Sequence, residues 1–199
     1  MLTICDEKYF DEETVIYETE ITFYSCSFLS IPSTLIWLTR LEFNDCNELT
    51  SIPNSLVNLE TLCCNNCHAL RCIPNTLINL TSLDFLECYS LESIPSTFTR
   101  LEELKCWDCP LITTIPSTLR RINEIICSNC PMLTSIPNNK YIDKQIYDCK
   151  WLYPGKAKMD NLIKVQRKCK KYIQRRRETI ISSLIDYLPL ELIIYCILA

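Results

Sequence analysis

Fifteen cysteines in 199 residues raise the question of metal or redox chemistry, and two blocks concentrate it. Cys106-Trp107-Asp108-Cys109 and Cys127-Ser128-Asn129-Cys130 are C-x-x-C pairs, a spacing that lets two thiolates grip one zinc ion. Two such blocks supply four ligands. The first block also has the spacing of a redox pair, although a reactive thiol of that kind needs a depressed pKa, as at a helix N-terminus. Other chemistry is thinly provided. His68 is the only histidine, so a Ser-His-Asp, Cys-His or two-histidine metal site has almost nothing to build on, and His68 reads as a solvated turn residue. Gly155 is the only glycine, which excludes the multi-glycine loops that cradle phosphate.

The elements that position these cysteines follow from an internal repeat. Ile-Pro stands at 31, 52, 73, 94, 115 and 136, always 21 residues apart. Eleven residues before each Ile from the second copy on come Leu41, Leu62, Leu83, Leu104 and Ile125, and nine before come Phe43, Cys64, Phe85, Cys106 and Cys127. Six before stand Cys46, Cys67, Cys88, Cys109 and Cys130; three before, Leu49, Leu70, Leu91, Ile112 and Leu133; four after, Leu56, Leu77, Phe98 and Leu119. The first copy fits through Ile21, Phe23, Cys26 and Leu29, with one residue deleted before Ile31. Each L-x-F or L-x-C alternates inward and outward as a short strand does, and stacked copies pair those strands in parallel at ~4.8 Å. The last Cys column ends each strand, where a thiol offers a weak bond to backbone left without a ladder partner. Proline suits the side away from the sheet, because it cannot extend a ladder. Both C-x-x-C blocks fall on these columns, one thiol in a core position and one at the turn. They read as structural, and no catalytic, cofactor or metal site is expected.

The unit LxxLx(F/C)xxCxxLxxIPxxLxx resembles the leucine-rich repeat over about residues 20–152. The variant with Cys followed by Ile-Pro is similar to the repeats of plant resistance-type proteins and of giant DNA viruses. The resemblance implies an α/β-type leucine-rich-repeat solenoid, with a parallel sheet of short strands on the concave face and an irregular convex side. The expected boundaries are an N-terminal cap over 1–19, six to seven coils over 20–154 including a degenerate last one, and a helical tail over 155–199. The resemblance also implies that exposed strand positions hold a protein partner. They form three columns: Thr22, Glu42, Cys63, Asp84, Lys105 and Ile126; Tyr24, Asn44, Asn65, Leu86, Trp107 and Ser128; Ser25, Asp45, Asn66, Glu87, Asp108 and Asn129. Leu86 beside Trp107 suits an interface anchor, and Asp45, Glu87 and Asp108 favour a basic partner. Tyr24 and Asn44 complete the expected contact set.

Charge divides the chain. Residues 1–154 carry 10 basic and 20 acidic side chains, whereas 155–199 carry 10 basic and 4 acidic. In the tail, Leu162, Val165, Cys169, Tyr172 and Ile173 fall on one helical stripe amid Lys and Arg, a pattern that fits a capping helix, nucleic acid or an acidic membrane. VQRKCKKYIQRRR resembles a calmodulin-binding IQ motif through Val165, Gln166, Lys170 and Arg175, and departs from it at Lys171 and Glu178. The last residues resemble the opening of an F-box through Leu188, Pro189, Glu191, Leu192, Ile197 and Leu198, which implies a Skp1-type adaptor as partner; an ordinary terminal helix fits them too. Acids near the N-terminus stand where an export signal has its apolar core, and the thiols suit a reducing compartment. A cytoplasmic location is therefore expected, that of the host if the protein is viral.

Overall fold

The computed structural model describes residues 2–4, 15–138 and 141–149. The expected helical tail, with its IQ-like and F-box-like positions, lies outside the described residues, as does much of the expected cap. Eight short strands run parallel and in chain order: β1 (Leu2–Ile4), β2 (Glu20–Tyr24), β3 (Arg40–Asn44), β4 (Thr61–Asn65), β5 (Ser82–Leu86), β6 (Glu103–Trp107), β7 (Glu124–Ser128) and β8 (Asp143–Tyr147). Register never slips. Leu41 faces Leu62, Leu62 faces Leu83, Leu83 faces Leu104 and Leu104 faces Ile125, so each inward column is continuous along the stack. The fold is a parallel-sheet solenoid. Among the described residues no helix is long and apolar enough to cross a membrane.

No single coil could bury its own leucines, so the core exists only in the stack. The Leu, Phe and Cys columns form one continuous apolar cluster from Ile4 to Cys149. At its first coils Phe23 stacks on Phe43 with ring centroids 5.4 Å apart, and Phe28 meets Phe23 edge-on at 5.1 Å. Phe28, not Leu29, fills the Leu column of that coil, because Leu29 is exposed while Phe28 packs on the core. The hydrogen bonds give the reason. Thr50 donates its N–H to Leu29 O at 2.9 Å, just as Glu92 does to Arg71 O and Thr134 to Thr113 O. Leu29 thus stands at the position after the Leu column, and the missing residue lies ahead of it. At the other end, Lys144 and Ile146 of β8 occupy the inward register and are only half-buried.

Three further ladders tie coil to coil. Each turn-column thiol leans on a strand carbonyl two residues back, as Cys109 Sγ does on Trp107 O at 3.4 Å and Cys149 Sγ on Tyr147 O at 3.4 Å. Several also reach the preceding coil, for example Cys88 Sγ to Cys64 O at 3.1 Å. A hydroxyl three residues after Ile52, Ile73, Ile94 and Ile115 donates to the coil before it: Ser55 to Ser33 O, Thr76 to Asn54 O, Thr97 to Asn75 O and Thr118 to Ser96 O, all at 2.6–2.7 Å. The third ladder runs through Ser25, Asp45, Asn66, Glu87, Asp108, Asn129 and Asp148, each with φ between 51° and 59°. That left-handed turn lets the Asp45 N–H reach Asn65 O at 2.9 Å and the Glu87 N–H reach Trp107 O at 2.9 Å, extending the sheet by one bond per coil.

Candidate protein-binding face

Strand alternation sends every second side chain out of the core, so the open face of the sheet is a grid. Tyr24, Asn44, Asn65, Leu86, Trp107, Ser128 and Tyr147 form its central column in unbroken register. Tyr24, Trp107 and Tyr147 are exposed, with Trp107 at 38 %, while Leu86 beside it is half-buried. Asn65 Nδ2 donates to Asn44 Oδ1 at 2.9 Å, so the amides of the column are used within the sheet. The expected contact residues Tyr24, Asn44, Leu86 and Trp107 therefore share one line. Asp45, Glu87 and Asp108 flank it in the left-handed column.

That flanking column has a cause independent of any ligand. A positive φ costs most side chains about 1–2 kcal/mol, and Asn and Asp tolerate it best after glycine. A chain with one glycine must meet seven such positions with other residues, and five of them are Asn or Asp. Neighbouring side chains then pair: Asn66 Nδ2 donates to Asp45 Oδ1 at 2.6 Å, Asn129 Nδ2 to Asp108 Oδ1, and Tyr89 OH to Glu87 Oε2.

The acidity that backbone geometry does not dictate lies on the other side of the central line. Thr22, Glu42, Cys63, Asp84, Lys105 and Ile126 occupy one column there, and Glu20, Arg40, Thr61, Ser82, Glu103, Glu124 and Asp143 occupy a further one that the sequence reading leaves out. It starts each strand one residue before the leucine, which the repeat pattern marks only by outward polarity. Thr22 is not available on this face, being 1 % exposed and donating to Glu42 Oε2 at 3.3 Å. Arg40 pairs loosely with Glu42 at 3.8 Å. Burial lifts the Asp84 carboxyl above the usual carboxylate range, Lys105 pulls it back, and Glu42 and Glu103 push it further up.

No family model and no curated protein matches the chain. Among solved structures, the fold is similar to the leucine-rich-repeat domain of the type III effector XopL, with a TM-score of 0.44 and 16 % identity over 73 % of this chain and 75 % of that one. It is also similar to a leucine-rich-repeat protein of Leptospira interrogans, with a TM-score of 0.39 and 15 % identity over 76 % of this chain. The match spans 53 % of the Leptospira protein.

The cysteine pairs take the places that the repeat assigns them. Cys106 faces Cys127 across β6 and β7 inside the core, and Cys109 and Cys130 sit buried at the turns. Burial pushes the Cys109 thiol up to about 12, and Cys46 likewise to about 12. Cys63, on the open face, is held at about 11 by burial and by Asp84 and Glu42. A thiol so raised is protonated at neutral pH and a poor nucleophile. The bond shared by Cys130 and Cys149 raises the first and lowers the second. His68 departs from the solvated turn residue expected of it. Its ring is half-buried and stacks on Tyr89 at 4.7 Å, because both stand one residue after the Cys column in adjacent coils.

Proposed function

We propose that this chain is a non-enzymatic binding module that holds a basic protein partner on the open face of its sheet. One observation carries the reading: Leu86 and Trp107 face each other across β5 and β6, beside columns rich in carboxylates. Other coils put Asn or Ser in the same column, so the strand does not require apolar side chains there. An aromatic anchor beside columns in which carboxylates outnumber the cations Arg40 and Lys105 suits a contact hot spot with electrostatic steering toward a basic partner. The test is an array of peptides with basic or acidic residues around a leucine or aromatic centre, probed with the full chain. Basic peptides bind, and Trp107→Ala weakens them at least about tenfold, or roughly 1.4 kcal/mol. Selection of acidic peptides, or indifference to Trp107→Ala, removes this reading.

The narrower role of a cytoplasmic substrate receptor rests on sequence resemblance alone, through Leu188, Pro189, Glu191, Leu192, Ile197 and Leu198 as the site for a Skp1-type adaptor. Leu188→Ala with Pro189→Ala then abolishes capture of a purified adaptor and leaves peptide binding intact. Absence of capture by the intact chain rejects it. The alternative, in which the basic segment takes nucleic acid or calmodulin and the coils serve as scaffold, has the Lys and Arg density of 155–199 in its favour.

A further inference from the structure

A second surface lies at the turn that leads each coil back to its strand. Between two buried leucine columns this turn leaves two residues outside. In three successive coils the first of these is Ile36, Val57 and Ile78, at 42 %, 43 % and 52 % exposure, and Trp37 beside Ile36 is 52 % exposed. The backbone does not ask for apolar residues here. Ile36, Val57 and Ile78 each donate an N–H to the carbonyl two residues back at 2.8 Å, and Thr99 and Arg120 do the same at 2.8 Å in the next two coils. The same turn is thus made with Thr and Arg, so three consecutive aliphatics and a tryptophan in water are not a folding requirement. Clustered exposed apolar side chains of this kind mark contact surfaces.

Further along the stack the stripe changes character. Arg100, Arg120 and Arg121 are exposed at the same two turn positions, and among the described residues none of them is in an ion pair. Arg100 is steadied by Asn79, whose Oδ1 accepts from its guanidinium at 2.9 Å. Asn58 and Asn79 donate to Ile36 O at 2.9 Å and Val57 O at 2.8 Å, so neighbouring turns are bonded directly, and the strands they lead into stand at the spacing of a parallel sheet. That spacing is ~4.8 Å per coil, close to the ~5.4 Å pitch of an α-helix. A helix lying along the stripe presents about one residue per turn to each coil. Apolar residues at i, i+4 and i+7 meet the aliphatic turns, and acids one and two turns on come within reach of the arginines.

We infer that this turn stripe is a docking site for an amphipathic helix of a partner protein, apolar where it meets Ile36, Trp37, Val57 and Ile78 and acidic where it meets Arg100 and Arg120. The stripe is only two residues wide, and Glu60 and Glu102 border it at the entries to their strands. A stripe two residues wide, apolar over three coils and basic over the next two, matches one face of a single helix and not the breadth of a membrane surface. The site is separate from the sheet face and from Trp107.

The probe is a labelled peptide of roughly 18 residues, or five turns, with leucines over its first three turns and glutamates on the same face over the last two. Fluorescence anisotropy with the full chain gives saturable binding, accompanied by a gain in helical circular dichroism. Val57→Thr with Ile78→Thr, which copies the natural Thr99 turn and so preserves the fold, weakens binding at least about tenfold. Arg100→Glu with Arg120→Glu does the same, and Trp107→Ala has no effect. The inference is overturned by absence of saturable binding, by binding indifferent to either double variant, by loss on Trp107→Ala, or by phosphatidylserine vesicles capturing the chain when the peptide does not.

Discussion

Asp84 shows how a position on the grid tunes one side chain. It sits on β5 with Lys105 in register on β6, and Glu42 and Glu103 act on it from β3 and β6. Its carboxyl is raised above the unfolded value by burial first. Between the unfolded and folded pKa values the native state therefore binds more protons, and stability falls as pH rises through that window. Asp84→Asn removes the cost of the ionised form. The variant is more stable than the parent at neutral pH, its advantage shrinks as pH drops through the raised folded value, and none remains below the unfolded value of ~3.9. Urea melts between pH 3 and 8 check this, and a stability difference constant across that range refutes it. The left-handed column carries a different lesson. Asp45, Glu87 and Asp108 are acidic residues on the open face, but at two of them the choice of Asp answers a backbone demand. At Asp84, Glu103 and Glu124 φ imposes nothing, so the backbone does not account for the negative charge there.

The coil is the element, and its two halves differ in tolerance. Leu83 has no exposed surface and lies between Leu62 and Leu104. Leu83→Asp buries a charge without a partner, at a cost on the order of 3–5 kcal/mol, and unfolds the stack. Pro95→Ser acts at a partly exposed position that has no N–H to lose, so it costs only the restraint on the unfolded chain, about 0.4–1 kcal/mol. Thermal melts of the two variants separate them, and a folded Leu83→Asp protein contradicts the inward assignment. The 21-residue columns made the strands, their direction and their buried residues legible in the sequence, because each column repeats one structural demand. What the columns do not show is where a deletion falls. Leu29 and Phe28 are both apolar and adjacent, and it takes the packing of Phe28 on the core and the bond from Thr50 to Leu29 O to tell them apart. The hydroxyls of Ser55, Thr76, Thr97 and Thr118 stand in the sequence as a Ser or Thr three residues after four successive Ile, but a polar residue at a turn does not by itself show which carbonyl it bonds. Of the candidate face, the central line was legible. The carboxylates that begin each strand were not, since nothing apolar marks them.

At the scale of the whole molecule, strand order and chain order are the same. Each coil rests on the one before and the one after. A load applied to the two ends of such a stack does not have to break a closed sheet at once; it can unspool one turn at a time. Every released turn frees 21 residues, which extend to about 70 Å at ~3.3–3.6 Å per residue. Optical-tweezer traces of the chain held at residues 15 and 149 should rise in steps of about that length. A single rip spanning the stack would mean that the coils yield together. With stepwise release, the protein is in mechanical terms a spooled tether, letting out slack one turn at a time while the coils still wound keep their fold.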